Sequence, residues 1–123
     1  MSSKSKIILA LDLNNYQKLK KLIKNISSDI YGVKVGYQFF YKFQKNGFDL
    51  LKKNKLKVFL DLKLHDIPNT VRMGILALEK FKPDMLTIHI SGGEKMLLSA
   101  RQVTDKTKLI GVSTLTSLNN KDI

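Results

Sequence analysis

Phe59-Leu-Asp-Leu-Lys-Leu-His-Asp-Ile-Pro-Asn-Thr70 begins with the composition of a strand buried on both faces, yet it carries Asp61, Lys63, His65 and Asp66. Burying an unpaired charge is expensive, and a buried carboxylate with an ammonium is favourable only where geometry and hydrogen bonds compensate. Side chains two apart in a strand point the same way, so Asp61 and Lys63 are expected on one face and Leu60 and Leu62 on the other. Pro68 suits the first turn of a helix whose buried side is Val71, Ile75 and Leu78. The stretch is therefore the middle of a strand-to-helix unit with charge at its joint.

The same unit recurs on both sides of it. Upstream, Lys6 to Asp12 is an apolar run ending in a carboxylate, and Tyr16, Leu19, Leu22, Ile23 and Ile26 follow at helical spacing with lysines between them. Ile30 to Gly36 reads as a second strand, and Tyr37 through Phe40 and Phe43 as a helix that Gly47 closes. Lys57 to Lys63 is the third strand. Downstream, Met85 to His89 is the fourth strand, a helix with Met96, Leu97, Ala100 and Val103 follows Gly92-Gly93, and Lys108 to Thr114 is the fifth strand.

Such βα units of about 25 residues, with no linker or composition break, imply parallel strands covered by helices. Asp12, Lys34, Asp61 with Lys63, His89, and Thr114 or Thr116 all fall at or near the C-terminal ends of successive strands, the rim where a (β/α)₈ barrel builds its active site. A whole barrel needs about 200 residues or more. The expected fold is α/β, a TIM-barrel type with parallel strands, of which residues 1–123 form a single, incomplete domain holding the first five of eight strands. An open five-stranded α/β sheet is the alternative.

Composition excludes several chemistries. With 43% apolar residues the chain can bury a core, and without cysteine it has no disulfide, thiol nucleophile or thiolate metal site. The apolar run Ile7 to Leu11 is too short for a signal peptide or membrane span, which makes a cytoplasmic location the expectation. The net charge of +12 comes mostly from lysines on outer helix faces and loops, such as Lys18, Lys20, Lys21, Lys24, Lys52, Lys53 and Lys55. That pattern fits a solvated surface better than a nucleic-acid interface. No nucleic-acid or membrane partner is expected.

An isolated Asp-x-Lys is compatible with an ion pair that only fixes the fold. Charged groups at three strand ends, Asp12, Lys34, and Asp61 with Lys63, point instead to a site in which opposite charges keep one another ionised. His65 and His89 read as hydrogen-bonded structural groups and lack a metal-ligand pattern. Gly92-Gly93 reads as a turn before a helix, although a helix N-terminus there could bind an anion. Ser113, Thr114, Thr116 and Ser117 offer hydroxyls without an evident base.

Taken together, the segment from Phe59 to Thr70 resembles the signature of the orotidine 5′-phosphate decarboxylases, with Leu9-Ala-Leu-Asp12, Val33-Lys-Val-Gly36, His89-Ile-Ser-Gly-Gly93 and Leu115-Thr-Ser117 in the family's order. Related sugar-phosphate barrels share only Asp-x-Lys-x-x-Asp and use magnesium; Ile67-Pro68-Asn69-Thr70 favours the decarboxylase. The resemblance implies conversion of orotidine 5′-monophosphate to UMP in pyrimidine biosynthesis without metal or organic cofactor. It implies a charged tetrad of Lys34, Asp61, Lys63 and Asp66, with Lys63 as proton donor and Asp61 beside the scissile carboxylate. It further implies ribose contacts at Asp12 and Lys34 and a nucleotide contact at Thr116. Asp66, Ile67 and Thr70 would complete the partner's site across a homodimer. The phosphate-gripping loops would follow strands seven and eight, so an inactive remnant or an interaction module needing a complementing chain is the competing expectation.

Overall fold

The computed structural model describes residues 6–122; residues 1–5 and residue 123 lie outside it. The elements run β1 (Ile8–Ala10), α1 (Tyr16–Ile26), β2 (Gly32–Val35), α2 (Tyr37–Lys53), β3 (Lys57–Leu64), α3 (Pro68–Leu78), β4 (Met85–His89), α4 (Glu94–Gln102) and β5 (Lys108–Val112). Asn15 starts α1 by accepting the Lys18 N–H at 3.0 Å on its side chain, as an N-cap does. Pro68 opens α3, where its missing N–H costs nothing.

All strand pairs are parallel and the order is β1-β2-β3-β4-β5. That order separates the two expected architectures. A doubly wound sheet reverses direction at a switch point, whereas here each unit is laid beside the last, as in a barrel. Because parallel crossovers are right-handed, a sheet that never reverses carries its helices on one face. Val33, Val35, Val58, Leu60, Leu86 and Ile88 are buried in one core cluster with Leu19, Ile23, Phe39, Phe48, Leu51, Val71, Ile75 and Met96 of the helices. The opposite face holds Lys34, Phe59, Asp61, Met85 and Thr87 by strand alternation. Among the described residues β1 is paired only with β2 and β5 only with β4.

Three sequence expectations need correction. Gly47 does not close α2. The helix continues to Lys53, and its regular geometry is interrupted at Gln44, with φ of 50° and ψ of −141°. Gly47 is instead a packing position: an added Cβ would stand 2.6 Å from Phe43 Cβ and 2.9 Å from the Phe39 ring. The absent side chain lets the second half of the helix lie against that aromatic pair. β5 ends at Val112, before Ser113 and Thr114, so the expected fifth strand is shorter. Val103 caps α4 and is only partly buried, while Met96 and Ala100 form its buried side.

At the N-terminal end of the sheet a second polar cluster closes the structure. Asp84, just before β4, accepts the Val58 N–H at 2.8 Å, with Lys52 Nζ 2.5 Å and Lys57 Nζ 3.9 Å from its carboxylate. It ties β3, β4 and α2 together at the end opposite the candidate site.

Candidate active site

The side-chain alternation expected along β3 does not survive to its end. Lys63 has φ of 50°, and the pairing of β3 with β4 shifts register between Leu60 and Leu64. Lysine in the left-handed region is uncommon, because its Cβ crowds the following carbonyl. The Leu62–Lys63 peptide is held by side chains: the Tyr37 hydroxyl donates to the Leu62 carbonyl at 2.6 Å, and the Lys63 N–H donates to Thr87 Oγ1 at 2.8 Å. Asp61 and Lys63 thus meet through a bulge rather than through plain alternation.

Three of the expected site residues converge. Lys63 Nζ donates to Asp61 Oδ2 at 2.9 Å, and Lys34 Nζ, from the neighbouring strand, lies 3.6 Å from the same oxygen. The other oxygen, Oδ1, accepts the Thr87 hydroxyl at 2.8 Å. The Asp61 side chain is 13% exposed, against 44% for Lys34 and 34% for Lys63. The anion is thus largely enclosed while both cations reach solvent. Burial pushes the Asp61 carboxyl up. Hydrogen bonds from Lys63 and Thr87 and the charges of Lys63 and Lys34 outweigh that push and hold it below the ordinary carboxylate value.

Asp66 is not in hydrogen-bond or ion-pair contact with these three among the described residues; its carboxylate accepts the Ile67 N–H at 2.7 Å. Asp66 and Thr70 do line the same hollow as Lys63, together with Tyr37, His65 and Gly74. Ile67 is 66% exposed, a large apolar side chain at the mouth of α3. Asp12 is exposed just beyond β1, and Thr116 is exposed in the turns after β5. The His65 and His89 side chains make no hydrogen bond among the described residues; their rings lie 5.1 Å apart and tilted by 41°, a contact with each other in place of the hydrogen bonds expected for each alone. A second hollow joins these rings to Ser91, Ser113 and Thr114. Gly93, with φ of 94°, is the turn expected before α4. Among the described residues no three His, Cys, Asp or Glu side chains stand close enough to hold a metal ion, and no helix is long and apolar enough to cross a membrane.

Thr87 and Tyr37 were not among the residues expected at the site. Thr87 had a readable signal, since it lies two residues before His89 and therefore shares its face of β4. Tyr37 had none, because a tyrosine after Gly36 reads only as the start of α2.

The arrangement can hold an ammonium rigidly beside a carboxylate at the open end of parallel strands, which suits charge stabilisation followed by proton delivery. Residues 5–123 match the family model described as Orotidine 5′-phosphate decarboxylase / HUMPS family. An orotidine 5′-phosphate decarboxylase of Erythrobacter litoralis is 40% identical over 118 residues, 95% of this chain and 53% of that protein. Among solved structures, an orotidine 5′-phosphate decarboxylase from Lactobacillus acidophilus superposes with a TM-score of 0.81 at 35% identity, covering 94% of this chain and 56% of the other. An uncharacterized conserved protein from Geobacillus kaustophilus superposes with 0.85 at 32% identity, covering 93% and 57%. The chain spans about half the length of these relatives.

Proposed function

We propose, from the premise that the chain belongs to the orotidine 5′-phosphate decarboxylase / HUMPS family, that it carries the charged part of a site that converts orotidine 5′-monophosphate to UMP. The observation that supports this most is the convergence of Lys34 and Lys63 on one enclosed Asp61 oxygen. In the reaction the bond between C6 of the pyrimidine and its carboxylate breaks, CO₂ leaves, and the electron pair stays on C6. Lys63 stabilises that pair as it forms and then transfers a proton from Nζ to C6, giving UMP and a neutral amine that water reprotonates. An interaction that strengthens only as charge develops lowers the barrier, and a fixed ammonium needs no reorganisation to supply it. Asp61 holds Lys63 in place and stands beside the departing carboxylate.

The remaining assignments are part of the same proposal. Asp12 and Lys34 contact the ribose and Thr116 lies near the nucleotide. Asp66, Ile67 and Thr70 reach the partner's site in a homodimer, for which the exposure of Ile67 is the supporting observation. Residues 1–123 act as one barrel segment in the cytoplasm, and the grip on the phosphate comes from further βα units.

A second reading is favoured by the two sheet edges. β1 and β5 each have a neighbour on one side only among the described residues, and unpaired edges associate. On this reading the chain is an inactive module that pairs with a complementing chain.

UMP formation and CO₂ release, measured for the chain alone and for the chain joined to the second half of a relative, separate the readings. Turnover that disappears in Lys63→Ala supports the enzyme. Turnover retained in Lys63→Ala, or none from a folded, completed barrel, overturns it.

A further inference from the structure

The charged groups facing Asp61 are Lys34 from β2 and Lys63 from its own strand; β4 contributes the Thr87 hydroxyl, and His65 and His89 stand at the adjoining strand ends. The site's charges thus account for the attraction between Lys63 and Asp61, but not for the backbone that lets them meet. The peptide between Leu62 and Lys63 sits where β3 slips against β4, and both of its polar atoms are taken by side chains from other elements. Its carbonyl accepts from Tyr37, at the start of α2, and its N–H donates to Thr87, in the middle of β4.

Thr87 is 3% exposed and its hydroxyl is committed in both directions. It accepts from the Lys63 N–H, so its own proton is free to go to Asp61 Oδ1, and the distances of 2.8 Å on each side fit that polarity. A valine of the same shape would leave the Lys63 N–H and one Asp61 oxygen without this partner. The Tyr37 hydroxyl makes no hydrogen bond to Lys63 or Asp61 among the described residues. Tyr37 is 52% exposed, yet its hydroxyl bond to Leu62 is short, and its ring lines the same hollow as Lys63.

We propose that Tyr37 and Thr87 are positioning residues that clamp the Leu62–Lys63 peptide from opposite ends and so hold the Lys63 ammonium against Asp61. Charge attraction then acts on a lysine whose backbone is already turned toward its partner. The assignment rests on the reading of the site given above, where Lys63 must be fixed before charge develops at C6. Its tests use no turnover, so its failure and failure of the decarboxylase reading are separately visible.

The test is NMR on the 123-residue chain, following the Asp61 carboxyl carbon through an acid titration and the exchange rate of the Lys63 amide. Thr87→Val is expected to raise the Asp61 midpoint and speed Lys63 amide exchange by about tenfold, the equivalent of about 1.4 kcal/mol. Thr87→Ser, which keeps the hydroxyl, is expected to stay near the unsubstituted protein in both. Tyr37→Phe is the sharper arm. It removes no contact to Asp61, so an upward shift of the Asp61 midpoint can reach it only through a displaced Lys63. An unchanged midpoint in folded Tyr37→Phe overturns the clamp, as does a serine variant that behaves like valine. Should Thr87→Val not fold, the unsubstituted chain still decides the Thr87 half. Its hydroxyl proton should be protected from exchange and should shift as Asp61 titrates, and a freely exchanging hydroxyl overturns the assignment.

Discussion

Lys63 reaches Asp61 Oδ2 at 2.9 Å from a backbone with φ of 50°, a conformation that a lysine in a regular strand does not adopt. The contact between them therefore depends on a local departure from strand geometry as well as on opposite charge. That departure makes an unusual prediction about substitutions at position 63.

In ordinary strands glycine is less stable than alanine. At position 63 the order should reverse, because only glycine enters the left-handed region without steric cost. Among two variants that both lack the ammonium, Lys63→Gly should be more stable than Lys63→Ala by about 1 kcal/mol. Urea unfolding of the two decides it, and an alanine variant that is equally or more stable counts against the observed backbone.

Acid stability should report on Asp61. Its carboxyl titrates lower in the folded chain than the ordinary value of 3.8, so the folded state binds its proton less readily than the unfolded one. The stabilisation is complete above the unfolded value and is lost as pH falls through the folded one. Asp61→Asn should therefore lower stability near neutrality and flatten its fall below about pH 4. An acid limb of unchanged steepness in the asparagine variant would contradict the assignment.

Two glycines in helices should respond oppositely to alanine. Gly47 has no room, since its Cβ would overlap Phe43 and the Phe39 ring, and overpacking of this kind costs about 1–3 kcal/mol. Gly74, in α3, has nothing within 4 Å of the Cβ position. Gly74→Ala should stabilise by roughly 0.5–1 kcal/mol through helix propensity. Thermal unfolding of both variants checks the pair.

Asp84 should matter for stability and not for chemistry. Asp84→Ala takes the acceptor from the Val58 N–H and removes the counter-charge of Lys52. Loss of a partly buried acceptor costs about 1–3 kcal/mol. The variant should unfold at lower urea while leaving the Asp61 titration in place; a shifted Asp61 midpoint would show that the two ends of the sheet are coupled.

The order of strands and helices was legible because each unit carries its own apolar period, and Met85–His89 matches the expected fourth strand at both ends. Asp61 with Lys63, and Lys34 across from them, were legible because charge at the end of an apolar run is conspicuous. The bulge at Lys63 was not, since Leu-Asp-Leu-Lys-Leu is a regular alternation and its interruption arises from β4 and α2. The break at Gln44 was hidden for a similar reason: an aromatic helix that continues past Gly47 depends on rings packing where a side chain is missing. Thr87 could be read as sharing the face of His89, but the role of its hydroxyl follows only from its place opposite Asp61.

Along β3, Leu60, Leu62 and Leu64 repeat at every second place, so sliding the strand by two residues would leave a leucine-rich face toward the helices. Greasy contacts alone discriminate poorly between such neighbouring pairings. The polar contacts do discriminate: after a slip, the Val58 amide no longer meets Asp84, and Thr87 faces a different peptide. The polar contacts at the two ends of β3 thus penalise an off-by-two alignment that leucine burial alone would tolerate.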